Sequence, residues 1–160
     1  MKIKTSPEKA LKKLMHYCAY RDRSEKEVQD KLKEYGLKRD EEEEIIATLK
    51  ADRFIDNRRF AENFARGKFF YNKWGKRKIR QYLQQHRISP ELIREALKEI
   101  DDKDYRKTIR HLIEMKIKQY ETKDKEQLLA KIYRYLEAKG YEPGEFYELL
   151  KDEIRKNTTA

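Results

Sequence analysis

Val28-Gln29-Asp30-Lys31-Leu32-Lys33-Glu34-Tyr35-Gly36-Leu37 decides the fold, because the chain uses its pattern three times. Ile79-Arg80-Gln81-Tyr82-Leu83-Gln84-Gln85-His86-Arg87-Ile88 and Ile132-Tyr133-Arg134-Tyr135-Leu136-Glu137-Ala138-Lys139-Gly140-Tyr141 repeat it. Each copy has a β-branched residue, a leucine four positions later and an apolar residue five beyond that. The copies begin at 28, 79 and 132, spacings of 51 and 53. A period of roughly 50 residues marks a supersecondary unit used in tandem. Apolar residues four apart lie on one face of a helix. Gly36 and Gly140 stand where such a helix would end in a left-handed residue, which glycine adopts without strain. Arg87 holds that place in the middle copy, so a cap of different construction is expected there.

Working outward, each copy sits in a set of three helices. In the first set these fall at roughly 7–22, 24–35 and 41–54. Ser6-Pro7 reads as an N-cap followed by proline at the first helical position. Ser24, with Glu27 three residues on, reads as a capping box. Leu11, Leu14, Met15 and Cys18 form an apolar stripe at helical spacing, as do Ile45, Ile46 and Leu49. The second set starts at Asp56-Asn57, with the stripe Phe60, Ala61, Phe64 and Ala65. Gly75 opens its next helix, with Ile79, Tyr82, Leu83 and His86, and Ser89-Pro90 caps a third. The third set begins near Asp104, continues after Asp124 and closes after Pro143. The expected architecture is all-α: three tandem three-helix modules, 1–56, 57–102 and 103–155, with a frayed tail at 156–160. A module of about 50 residues buries too little surface to be comfortable alone. The three are therefore expected to stack into an elongated, curved body.

Composition agrees. Only 38% of the residues are hydrophobic and 44% are charged, which suits thin helical layers better than one thick core. Five glycines and three prolines are too few for an all-β chain. One cysteine, Cys18, rules out an internal disulfide framework, and it continues a core stripe. No apolar run approaches the ~20 residues of a membrane span, and residues 1–8 lack the apolar core of a signal peptide. A monomer in the reducing cytoplasm is expected.

Charge is unevenly placed. Of the 40 lysines and arginines, ten lie in residues 57–88, against the single acid Glu62, whereas both flanking regions are almost balanced. Such a stretch costs self-repulsion and points to an anionic partner. On one helix Lys76, Arg80 and Arg87 share a side, with Arg77 flanking. On the preceding helix Arg59, Arg66, Phe70 and Lys73 project away from the Phe60/Phe64 stripe. Bases with an interleaved ring suit nucleic acid, through phosphate contact and stacking. They suit a protein interface equally well. Arg59, Arg66, Phe70, Lys73, Lys76, Arg77 and Arg80 are the candidate partner surface.

Catalytic constellations are missing. The five glycines assemble no phosphate loop, and His16, His86 and His111 are dispersed and belong to no HExxH. Trp74 beside Gly75 is either a stacking ring or a corner-packing one. No catalytic residue, cofactor or metal is expected, and an enzyme is disfavoured.

Three stretches resemble the RecX family of bacterial recombinase regulators. Arg21-Asp22-Arg23-Ser24-Glu25-Lys26-Glu27-Val28, with Leu32 and Gly36, is similar to the family's R-x-R-S-x-x-E-[LV] opening. Phe54-Ile55-Asp56-Asn57-Arg58-Arg59-Phe60-Ala61 looks like its hinge. Arg66, Lys68, Gly75, Lys78 and Ile79 resemble its R-x-R/K…G-x-x-[RK]-I stretch. The match is firm over roughly 11–100. Asn57 and Arg87 depart from the pattern, where the family has Asp and Gly. The resemblance implies three tandem three-helix modules, with Arg21, Arg23, Ser24, Asp56, Phe60, Gly75 and Lys78 as motif positions. It implies a partner, the RecA–DNA filament, whose extension, ATP hydrolysis and strand exchange the protein would restrain, in homologous recombination, DNA repair and the SOS response. On that reading the basic surface faces RecA or single- or double-stranded DNA within the filament. The rival reading is a stand-alone DNA- or RNA-binding helical module.

Overall fold

The computed structural model describes residues 5–158. Among them the chain is entirely helical, with nine α-helices, one 3-10 turn and no strand. In order these are α1 (Pro7–Tyr20), α2 (Glu25–Leu32) with the turn Lys33–Tyr35, α3 (Arg39–Ala51), α4 (Asn57–Asn72), α5 (Lys76–Gln85), α6 (Pro90–Lys98), α7 (Asp102–Gln119), α8 (Lys125–Lys139) and α9 (Pro143–Thr158). The three repeated segments form α2, α5 and α8 with the turns that follow them. Their paired anchors Val28/Leu32, Ile79/Leu83 and Ile132/Leu136 are all buried. The tail expected to fray begins inside α9, and its residues 159 and 160 lie outside the described residues, as do residues 1–4.

The helices fall into two compact units, and the division cuts α4, α5 and α6. One unit runs to Asn63 and includes Leu83–Glu95; the other comprises Phe64–Tyr82 and the chain from Ala96 onward. In the first unit α1, α2 and α3 pack on one another. Their core is Ala10, Leu14, Cys18, Val28, Leu32 and Leu49, closed by Tyr35, Ile45 and Ile55. Burial raises the Cys18 thiol above its ordinary pKa, which suits a core residue rather than a reactive thiol. The caps form as the residues require. Ser6 Oγ accepts from the Lys9 amide at 3.3 Å. Ser24 Oγ accepts from the Glu27 amide at 3.1 Å, while Glu27 Oε1 accepts from the Ser24 amide at 3.2 Å. α3 spans 39–51 rather than 41–54, because the Phe54 and Ile55 amides both turn back to the Leu49 carbonyl, at 2.8 and 3.2 Å.

In the second unit α7, α8 and α9 pack on one another around Ile109, Ile113, Ile132, Leu136, Phe146 and Leu150. The turn between α4 and α5 is bonded directly to the turn between α8 and α9. The Gly75 amide donates to the Lys139 carbonyl at 2.8 Å and the Arg77 amide to the Gly140 carbonyl at 3.1 Å. The backbones approach so closely that a Cβ on Gly75 would lie 2.3 Å from the Gly140 carbonyl carbon. Tyr141 Oη donates to the Lys73 carbonyl at 2.8 Å. Tyr105 Oη accepts from the Lys76 amide at 2.9 Å and donates to Glu145 at 3.1 Å. Burial raises both phenols far above the usual tyrosine pKa, so each remains a neutral donor.

One expectation is corrected. Arg87 does not build its cap differently: it takes the same left-handed conformation, φ 56°, that Gly36 and Gly140 take at 67° and 101°. Its amide bonds the Gln84 carbonyl at 3.0 Å and the Ile88 amide reaches the Leu83 carbonyl at 3.1 Å. At Gly140 the equivalent bonds are both 3.0 Å. The hydrogen-bonded closure satisfies orphan carbonyls whatever the side chain, so arginine is tolerated at a local steric cost. Arg53 and Lys73 (φ 60° each) are left-handed as well.

Candidate functional site

The fold brings carboxylates from outside residues 57–88 onto most of the predicted basic surface. Arg66 pairs with Glu99 at 3.1 Å and Arg80 with Glu142 at 3.8 Å; Arg58 pairs with Glu95. Lys76 lies 4.7 Å over the Tyr105 ring and 3.9 Å from Asp102. Arg59 donates to Asp22 at 3.0 Å, to the Arg53 carbonyl at 3.0 Å and to the Phe54 carbonyl at 3.4 Å. The Arg77 guanidinium donates to the Glu137 carbonyl, and Lys73 Nζ to the Phe70 carbonyl at 2.7 Å. Phe70 is half exposed, with its ring edge-on to buried Phe69. Arg59 and Arg77 thus bond main chain, while Arg66 and Arg80 form exposed pairs of the kind worth little energy and readily exchanged.

A second group, absent from the predicted surface, lies in the second unit. Phe64, Trp74 and Tyr82 bring their rings together, with centroids 4.8 Å (Trp74–Tyr82), 6.2 Å (Phe64–Trp74) and 6.3 Å (Phe64–Tyr82) apart. Lys78 Nζ lies 4.5 Å and Lys68 Nζ 4.9 Å from the Trp74 ring centre. Neither ammonium has an ion pair among the described residues. Helical spacing puts Tyr82 in the core stripe, yet it is 40% exposed. Spacing alone could not show this, since α5 is short and Tyr82 lies at the edge of its apolar face. The usable signal was the chain's only tryptophan beside a glycine and between lysines 68 and 78.

Among the described residues no cluster of three or more His, Cys, Asp or Glu could hold a metal ion. No helix among them is long and apolar enough to cross a membrane.

Known proteins share this arrangement. Models of the first and second three-helix domains of RecX match residues 10–49 and 56–97. The chain belongs to the RecX family. It is 29% identical over 136 residues to the regulatory protein RecX of Oceanobacillus iheyensis, covering 85% of this chain and 50% of that one. With the regulatory protein RecX of Clostridium botulinum it shares 31% over 136 residues, 84% of this chain and 61% of the relative. The chain thus spans about half the length of the first of these curated relatives. The crystal structure of RecX from Lactobacillus salivarius superposes with a TM-score of 0.80 at 25% identity, covering 95% of this chain and 96% of that one. A second crystal structure of regulatory protein RecX gives 0.81 at 25% identity, covering 91% and 71%.

The RecX motif residues are mostly structural in this chain. Arg21 bonds Glu27 at 2.6 Å, and Arg23 lies 3.7 Å over the Tyr17 ring while donating to the Tyr17 carbonyl at 3.0 Å. Asp56 caps α4, accepting from the Arg59 amide at 3.0 Å. Asn57, where the RecX pattern has Asp, accepts from the Glu25 amide at 3.1 Å; a neutral acceptor there adds no negative charge beside Glu25. Ser24 is fully buried, its Oγ 3.0 Å from His86 Nδ1, and Phe60 packs its ring 5.0 Å from the same imidazole. Gly75 admits the close backbone contact, and Lys78 covers Trp74.

Proposed function

We propose that this chain is a negative regulator of the RecA recombinase. It binds the RecA–DNA filament and restrains filament extension, ATP hydrolysis and strand exchange, acting as a cytoplasmic monomer without enzymatic activity, cofactor or metal. The observation that carries the reading is the pair of RecX domain matches over 10–49 and 56–97, the second of which contains the whole basic stretch. A regulator needs a surface whose charges trade partners on docking. The half-exposed pairs Arg66–Glu99 and Arg80–Glu142, with Phe70 as an apolar anchor, supply one. In this reading Arg66, Arg80, Phe70, Lys73 and Lys76 face DNA phosphates or acidic RecA surface. Arg77, though part of the same basic stretch, acts mainly by holding that surface in place, and Arg59 by tying together residues of its own unit.

The test is RecA's single-strand-DNA-dependent ATP hydrolysis, titrated with the protein and with an Arg66→Gln/Lys73→Gln/Arg80→Gln variant. Glutamine is preferable to glutamate here, because a reversed charge would face Glu99 and Glu142 and disturb the fold. The parent should inhibit at less than one molecule per RecA, and the variant should do so much more weakly with an unchanged melting midpoint. No effect of the parent on hydrolysis, with salt-sensitive binding to bare nucleic acid, would favour a stand-alone nucleic-acid module.

A further inference from the structure

Around Trp74 the second unit gathers positive charge that no carboxylate of the described residues offsets. Lys68 and Lys78 flank its ring, and Lys68 also lies 5.6 Å over Phe64. Lys139 follows, its Nζ bonded only to the Asn72 carbonyl at 2.8 Å. Its ammonium is held below the ordinary lysine pKa by burial and then by the neighbouring charges of Lys78 and Lys116. Lys116 in turn lies 4.3 Å over Tyr135 and 5.5 Å over Tyr120. Lysines and rings therefore alternate along one strip built from α4, α5, α7 and α8. A ring face attracts an ammonium without neutralising it, so the strip keeps its field. Lysine stems do shield rings from water, which explains Lys68 and Lys78 over a partly buried tryptophan. It does not explain why Tyr82 remains 40% exposed beside them, nor why no carboxylate joins them when Arg66 and Arg80 each find one.

We propose that this strip is a binding site for single-stranded nucleic acid, with an unpaired base stacked on the Tyr82/Trp74 rings and the flanking phosphates on Lys68, Lys78 and Lys139. Sequence-tolerant stacking beside lysines that track a backbone is how proteins hold single strands. A duplex offers the phosphates but keeps its base faces covered, so the site discriminates by strand state. The inference deepens the nucleic-acid part of the reading above and rests on it for its setting, but the site itself needs no RecA.

Trp74 is the chain's only tryptophan, so the site carries its own reporter. With the full chain and no RecA present, oligothymidylate should quench Trp74 fluorescence and raise the anisotropy of a labelled oligonucleotide. Tyr82→Ala should weaken binding roughly 5- to 100-fold, the range of one lost stacking contact. Tyr82→Phe, which keeps the ring, should bind as the parent does. Lys68→Gln/Lys78→Gln removes two phosphate contacts at partly exposed positions and should lower the salt slope by about 1.4. Two results overturn the proposal: duplex DNA or inorganic polyphosphate competing as well as oligothymidylate, or an unchanged salt slope in the double lysine variant. If Tyr82→Ala melts as the parent does and binds equally well, the stacking role is wrong. Loss of RecA inhibition leaves these measurements untouched, and failure of oligothymidylate binding leaves RecA inhibition to be judged on its own.

Discussion

The arginine joint around α1–α4 and the lysine strip around Trp74 handle positive charge in opposite ways. In the joint, Arg21, Arg23 and Arg59 meet Glu27, Asp22 and backbone carbonyls, and each guanidinium bonds through more than one nitrogen or to more than one group. The planar fork of arginine suits that work. In the strip, Lys68 and Lys78 meet ring faces instead of acids. Charge counted along the sequence therefore finds the basic stretch but not the basic surface. Folding imports Glu95, Asp22, Glu99, Asp102 and Glu142 onto Arg58, Arg59, Arg66, Lys76 and Arg80, and sets Lys68 and Lys78 against rings. Within these two groups the side chain suits its contact: arginine bonds acids and carbonyls in the joint, and lysine lies over rings in the strip.

The largest expected effect breaks the strip and spares the joint. Gly75→Ala puts a methyl 2.3 Å from the Gly140 carbonyl carbon and 2.5 Å from the Tyr141 nitrogen, all of it backbone that cannot move aside. Forced separation of the two turns loses their hydrogen bonds as well as their packing. A cost of about 3 kcal/mol or more is expected in a urea melt. Gly67→Ala is the matched control: within α4, with nothing within 4 Å of its added Cβ, it should stabilise by about 0.5–1 kcal/mol. If both substitutions cost the same, the close approach at Gly75 does not organise the strip.

A smaller effect separates the two kinds of arginine. Arg59→Ala removes donors to Asp22 and to two carbonyls of the α3–α4 connection, and should cost about 1–2 kcal/mol after allowing for its partial exposure. Arg80→Gln gives up only a 3.8 Å contact between half-exposed groups and should change stability by less than about 0.5 kcal/mol. Equal costs in chemical melts would erase the distinction between structural and exchangeable arginines.

Much of this was legible in the sequence. The 28/79/132 repeat identified α2, α5 and α8, and Ser24 with Glu27 marked a capping box that the structure contains. What the sequence could not show was pairing over long separations. Arg80 meets Glu142 and Ser24 meets His86 across 62 residues in each case. Nor does a helical wheel tell where an apolar face stops being covered, so it cannot separate half-exposed Tyr82 from buried Ile79 and Leu83. Arg87 departs from expectation for a different reason: glycine is the low-cost residue at a left-handed cap, but backbone bonds decide the conformation. Arg87→Gly should accordingly stabilise the chain by about 0.5–1 kcal/mol, measured by thermal melting. A loss instead would mean that the arginine side chain contributes more there than its backbone strain costs.

The smallest expected effect tests whether the joint carries any further positive charge, on His86. Its ring packs against Phe60, its Nδ1 faces Ser24 Oγ at 3.0 Å, and Glu27 Oε1 lies 3.7 Å away. Burial pushes the imidazole pKa down, against the pull of the Glu27 carboxylate, so the fold favours the neutral ring. The unfolded chain, with histidine at its usual value of about 6.5, then binds more protons below that pH than the folded chain does. The neutral ring's contribution is present above about pH 6.5 and is lost as the pH falls from there through the lower folded value. The parent's urea midpoint should therefore drop more between pH 7.5 and 5.5 than that of His86→Gln, which does not titrate. If the parent instead gains on the variant as the pH falls, the Glu27 carboxylate outweighs burial and the ring is cationic. The joint would then grow more positive on mild acidification, and its contrast with the lysine strip would narrow.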